Sequence, residues 1–174
     1  MKVDGQSGEP VERVVEGDLD ELAQQVRRQI FDFKTRSGQG HLASALSCVD
    51  LLVSLYLDEE TDFDWREDTL VFGKAHGGPA VYPLLSHLGL IDELELTRYC
   101  EPEGMLRLHP DWTIPGCVFV GGSLGNGIGY AAGRAFMEPD KRFWVVLGDA
   151  ELYEGAVWES LLFISHHNLR NLGL

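Results

Sequence analysis

A chain of 174 residues, 44% of them hydrophobic, can bury one sizeable core and reads most simply as one domain. Its 28 acidic and 14 basic residues leave a formal charge of −14, which excludes a nucleic-acid partner needing a basic face but not a small anion held by a few local donors. Three cysteines without CxxC spacing suggest neither a disulfide framework nor a zinc site, and no apolar stretch reaches membrane-spanning length, so the expectation is a soluble cytoplasmic protein with reduced thiols and no membrane partner.

Residues 1–17 are polar and aperiodic and read as a mobile tail, leaving 18–174 as the domain. Asp18 with Glu21 forms a capping-box pattern, and Leu19, Leu22, Val26, Ile30 and Phe33 follow at helical spacing until Ser37-Gly38-Gln39-Gly40. A second helix is expected over Ala45–Leu57, apolar nearly all round and therefore deeply packed, followed by an acidic surface loop over Asp58–Asp68. Thr69–Phe72 reads as a strand leading into GKAHGGPAVY, where Pro79 suits the first turn of a helix running to Leu88. Asp92 and Glu95 open a short helix ending near Tyr99, a proline-containing loop covers Glu101–Gly116, and Cys117–Val120 is extended. GGSLGNGIGYAAG is a glycine-rich loop entering a helix. The apolar run FWVVL then reads as a central strand, Glu154–Asn168 as a helix, and Leu172–Leu174 as the start of another strand. Strands alternating with helices predict an α/β fold with a parallel sheet.

Several residues stand out as candidates for chemistry. Gly127-Ile-Gly129-Tyr-Ala-Ala132 matches the GxGxxG/A dinucleotide pattern, but no long strand precedes it, and close helix packing explains the small residues equally well. His41, His76 and His109, half of the six histidines, each lie beside Gly or Pro in expected loops, which suggests a shared polar site for an anionic or hydroxylated ligand. His87, His166 and His167 read as structural, inside helices. Asp149 ends the FWVVL strand, where a buried carboxylate must be paired, hydrogen-bonded or bound to metal.

The segments GHLASALSCVDLL, FGKAHGGPAVYPLL, LRLHP, GGSLGNGIG and VVLGDAELYEGAVWESLLFISHHNLRNL together resemble the amino-terminal, diphosphate-binding part of transketolases, and most closely the small subunit of two-component (split) enzymes. The resemblance spans Leu19 to Leu174 and implies a thiamine-diphosphate-binding fold of the PP type. It implies that Asp149, in the place of the motif aspartate of Gly148-Asp149-Ala150, ligates Mg²⁺ (or Ca²⁺ or Mn²⁺) bridging the diphosphate; a helix cap is the alternative role. His76 resembles the histidine that contacts the diphosphate, and Gly122 and Leu124 the loop that packs the aminopyrimidine. His41 and His109 resemble histidines that bind donor hydroxyls and assist proton transfer. Glu154 matches a glutamate at the subunit interface, in a proton-linked network between cofactor sites; a solvated first-turn carboxylate is its alternative role, and Glu151, Trp158 and Glu159 read as structural. Ala150 departs from the family's second motif glycine, tolerable with negative φ and costly without it. The resemblance also places the next metal ligand, an asparagine, and further strands beyond Leu174, which implies a longer natural protein.

The same resemblance implies a transferase moving a two-carbon ketol unit from a ketose, usually phosphorylated, to an aldose. Catalysis would require a second, pyrimidine-binding subunit, with self-association through the cofactor-site interface into a heterotetramer. The alternatives are a 1-deoxyxylulose-phosphate synthase-like or 2-oxoacid dehydrogenase-like subunit, or a degenerate scaffold.

Overall fold

The structure, a computed structural model, describes residues 18–58, 60–119 and 121–174. The expected tail over 1–17 and Val120 of the extended segment lie outside the described residues. Three parallel strands form the sheet: β1 (Thr69–Phe72), β2 (Phe143–Val146) and β3 (Leu172–Gly173), in the order β1-β2-β3. Thr69 pairs with Phe143 and Phe72 with Val146 between the first two, while Phe143 and Trp144 pair with Leu172 and Gly173.

Side chains alternate across a strand, so β1 feeds both faces. Leu70 and Phe72, with Val146 of β2, join a core built on α1 (Leu19–Ser37), α3 (Val49–Leu57) and α4 (Val81–His87). Val71 and Val145 point the other way, into a smaller core with Ile128 and Ala131 of α6 (Asn126–Met137) and Val157 of α7 (Gly155–His167). Helices therefore cover both faces, as a parallel sheet requires. Among the described residues, no helix is long and apolar enough to cross a membrane.

The first helix begins where its sequence predicts, but Asp18 accepts from the Asp20 N–H and not through the expected capping box with Glu21, and Gly38 at φ 68° ends α1 by donating to Lys34 O. The single helix expected over Ala45–Leu57 is instead two, α2 (Leu42–Leu46) and α3. The break falls where Ser47 Oγ donates to Ser44 O and Cys48 Sγ to Ala45 O, local side-chain bonds that compete with the helical ladder. Nor is α3 buried all round, since Leu51 is exposed. The expected surface loop after α3 contributes to the interior: Phe63 is buried and stacks edge-on against Tyr56 and Trp144. Asp68 there accepts hydrogen bonds from Trp144 Nε1 and the Asp64 N–H and pairs with Arg142.

Further along, Pro79 lies in a 3₁₀ turn over Ala75–Ala80, and α4 starts only at Val81. His87 is exposed at the end of α4, not packed in the core, and His166 and His167 are exposed too, the latter stacked on Phe136 and Phe163. The short helix α5 (Glu93–Thr97) is capped by Asp92 as its sequence predicts. Gly127 and Gly129 are inside α6, so the dinucleotide pattern is not a phosphate loop. They serve close packing: an added Cβ would come within 2.9 Å of Gly73 Cα at Gly127 and 3.3 Å of Ser160 Oγ at Gly129.

Candidate active site

In open parallel sheets, ligands bind beyond the carboxyl ends of the strands. Here that edge carries Gly73-Lys74 after β1 and Gly148-Asp149 after β2, and Lys74, Gly148 and Asp149 border a cleft of about 470 Å³. His41 and Ser44 enter it from the start of α2, Ser47 from the α2–α3 break, Lys74 and His76 from the loop after β1, Leu124 from the glycine-rich loop, and Gly148 to Glu151 from the turn after β2. A larger cavity of about 580 Å³ lies against the sheet, between Leu51, Leu55, Leu70, Trp144 and Leu174. Its lining holds no ionisable side chain, so chemistry, not volume, singles out the smaller cleft.

The three loop histidines are brought together as a ladder. The His41 and His76 ring centroids are 4.7 Å apart and those of His76 and His109 4.8 Å, both nearly edge to face. Burial holds the His109 imidazole below its ordinary pKa, and the neighbouring His76 and His41 lower it further. His109 Nε2 is buried without a hydrogen-bond partner among the described residues. An orphaned ring nitrogen in a polar setting is a group awaiting a ligand or water. Gly122 lies beside the same ring, where an added Cβ would be 3.5 Å from His109 Nδ1.

Lys74 supplies positive charge to the cleft, its Nζ donating to Ser47 Oγ at 2.8 Å. Lys74, Ser44 and Ser47 did not stand out in the sequence. For Lys74 there was one signal, a lysine following a strand end within the same GKAHGG segment as His76.

Asp149 is exposed at the cleft, and its carboxylate makes no hydrogen bond or ion pair among the described residues. It does not cap the following 3₁₀ turn, Asp149–Tyr153, or α7. Ala150 lines the cleft and lacks positive φ, since among the described non-glycine residues only Cys100 and Asn168 have it; the motif substitution therefore carries no backbone strain. Among the described residues, no group of three or more His, Cys, Asp or Glu is arranged to hold a metal ion, so Asp149 offers a single hard oxygen donor.

Glu154 occupies the N-cap position of α7 without a capping bond, and its stem packs against Gly125, whose missing Cβ would lie 2.8 Å from Glu154 Cβ. Glu151 is buried, as a structural role implies, and accepts hydrogen bonds from the Gly148 and Gly125 N–H groups. The remaining helix, α7, buries only Val157 and leaves Trp158, Leu162 and Phe163 exposed.

Known proteins share much of this chain. The family model for 1-deoxy-D-xylulose-5-phosphate synthase matches residues 5–99, more than half of the chain and including His41 and His76. Human transketolase-like protein 2 is 32% identical over 146 residues, covering 78% of this chain and 23% of the relative. Human transketolase is 30% identical over 167 residues, covering 88% of this chain and 26% of its own length. One subunit of the apulose-4-phosphate transketolase of Actinobacillus succinogenes is 31% identical over 166 residues, 89% of this chain and 60% of the relative. The chain thus spans about a quarter of the length of the animal transketolases it matches. It belongs to the family of the 1-deoxy-D-xylulose-5-phosphate synthase amino-terminal domain and is similar to transketolases.

Proposed function

We propose that this chain is the diphosphate-binding subunit of a two-component transketolase-type transferase, moving a two-carbon ketol unit from a ketose or ketose phosphate to an aldose. One observation carries the reading: the histidine ladder, the Lys74 ammonium and the partnerless Asp149 carboxylate converge at the carboxyl edge of one parallel sheet. These residues fit thiamine diphosphate. Lys74 and His76 are donors for the diphosphate, Asp149 an oxygen ligand for Mg²⁺ (or Ca²⁺ or Mn²⁺) shared with it, and Leu124 in the cleft, with Gly122 beside His109, a surface for the aminopyrimidine. When bound, the cofactor supplies the nucleophilic carbon and electron sink needed to cleave the bond beside a ketose carbonyl.

The chain's own residues bind and move protons. His41 and His109 hold donor hydroxyls, and burial, by lowering the His109 pKa, favours the imidazole form that exchanges a proton there. Glu154, with no cap bond to satisfy, faces the partner at the head of α7. The exposed apolar side chains of α7 and of the turn before it offer the surface on which a pyrimidine-binding subunit or a second copy seats, giving a heterotetramer.

The family match to 1-deoxy-D-xylulose-5-phosphate synthase supports a second reading, in which pyruvate is the donor. Co-expression with a pyrimidine-binding subunit, followed by parallel assays with a ketose phosphate and with pyruvate as donor, separates the two. Ketose-dependent transfer supports the first reading, pyruvate decarboxylation coupled to ketol formation supports the second, and inactivity with intact assembly identifies a scaffold.

A further inference from the structure

Glu151 is 1% exposed, the buried ionisable side chain of this half of the fold, and no cation pairs with it among the described residues. Its two oxygens serve different loops: Oε2 accepts the Gly148 N–H at 2.8 Å and Oε1 the Gly125 N–H at 3.0 Å. A third loop passes against it, since an added Cβ at Gly73 would lie 3.2 Å from Oε1. Each of these glycines adjoins a residue that lines the cleft: Gly73 precedes Lys74, Gly125 follows Leu124, and Gly148 precedes Asp149. A Cβ at Gly148 would likewise lie 3.7 Å from Oε2, so the carboxylate, by two hydrogen bonds and these close approaches, ties three chain segments to one group.

We propose that Glu151 is a positioning residue that fixes the cation-binding turn, the Leu124 loop and the Lys74 loop in one arrangement, and so sets the affinity for a divalent cation–diphosphate ligand through those segments. This rests on the cofactor reading above. Hydrogen bonds to a buried carboxylate are among the stronger ones in a protein, and an orphaned backbone N–H is costly, so the arrangement should fail locally when one is lost. Glu151→Gln keeps one acceptor but turns an amide NH₂ toward the other N–H, donor against donor.

Two measurements on the assembled enzyme test it. Single-residue hydrogen exchange of the cofactor-free complex should show the Gly125 and Gly148 amides of Glu151→Gln exchanging roughly ten-fold faster or more, with the β1 and β2 amides unchanged. Titration of thiamine diphosphate at fixed Mg²⁺ should show apparent affinity lowered roughly ten-fold or more, with kcat at saturating cofactor within about two-fold of wild type. If Glu151→Gln does not fold, Glu151→Asp, one methylene too short to span both loops, is measured in the same way. Unchanged exchange at the two glycines overturns the clasp; faster exchange with unchanged affinity reduces Glu151 to a stabilising residue and overturns its positioning role. A wild-type complex that binds no thiamine diphosphate overturns the cofactor reading and with it the affinity claim, while the exchange result still decides the clasp.

Discussion

His109 shows how much a single side chain can reveal. Its folded pKa lies below the ordinary 6.5, chiefly through burial, so between those two values the unfolded chain binds more protons than the folded one. Its contribution to stability is therefore complete above about pH 6.5 and is lost as pH falls toward the folded pKa. Thermal melts between about pH 7.5 and about pH 5.5 should show the wild type losing stability on acidification and His109→Asn losing less. Equal slopes would show that His109 is not held neutral. Turnover divides the ladder differently: His76→Ala should raise the cofactor requirement, because a donor to phosphate is lost, while His41→Ala should reduce turnover or donor affinity with cofactor binding near normal. Cofactor titrations and donor kinetics on both variants distinguish these outcomes. The histidines were legible because each sits beside Gly or Pro in a loop, where a side chain has little packing to do. Lys74 was not, since an isolated lysine reads as a solvated charge, and the burial of Glu151 depends on Gly73 and Gly125, which no local pattern connects to it.

Elements were legible where a local signal was complete. The capped start of α1, the caps of α5 and the apolar strand β2 lie where their residues predict. The α2–α3 break was missed because Ser47 and Cys48 do not interrupt the apolar pattern; they interrupt the hydrogen-bond ladder instead. The close approach of α6 to the loop after β1 has a direct test. Gly127→Ala places a methyl within 2.9 Å of the Gly73 backbone and should destabilise by about 1–3 kcal/mol in urea unfolding, whereas a phosphate-loop glycine would lose ligand binding and little stability. The outer face of α7 predicts the opposite behaviour. Leu162→Glu, at a position 72% exposed, should change the stability of the isolated chain by no more than about 0.5 kcal/mol and yet prevent assembly with the partner subunit, as read by size-exclusion chromatography with light scattering. Normal assembly of that variant would remove α7 from the interface.

At the scale of the whole molecule, the strongly acidic chain carries its candidate anion site on local donors, with Lys74 and the histidine ladder opposite the exposed Asp149 carboxylate. The parallel sheet was legible from the alternation of strands and helices, and the cleft at its carboxyl edge came from the structure. The proposed division of catalysis between subunits draws on the exposed α7 face and on similarity to one subunit of an apulose-4-phosphate transketolase. The cofactor reading turns on Asp149 as the anchor of a metal-bridged thiamine diphosphate. Because its side chain is exposed and makes no hydrogen bond among the described residues, Asp149→Ala should leave folding within about 0.5 kcal/mol of wild type. Isothermal titration of thiamine diphosphate with Mg²⁺ into the assembled complex is the direct measurement. Saturable binding to wild type and none resolved for Asp149→Ala is the expected result, and equal affinity in the two would refute the anchor.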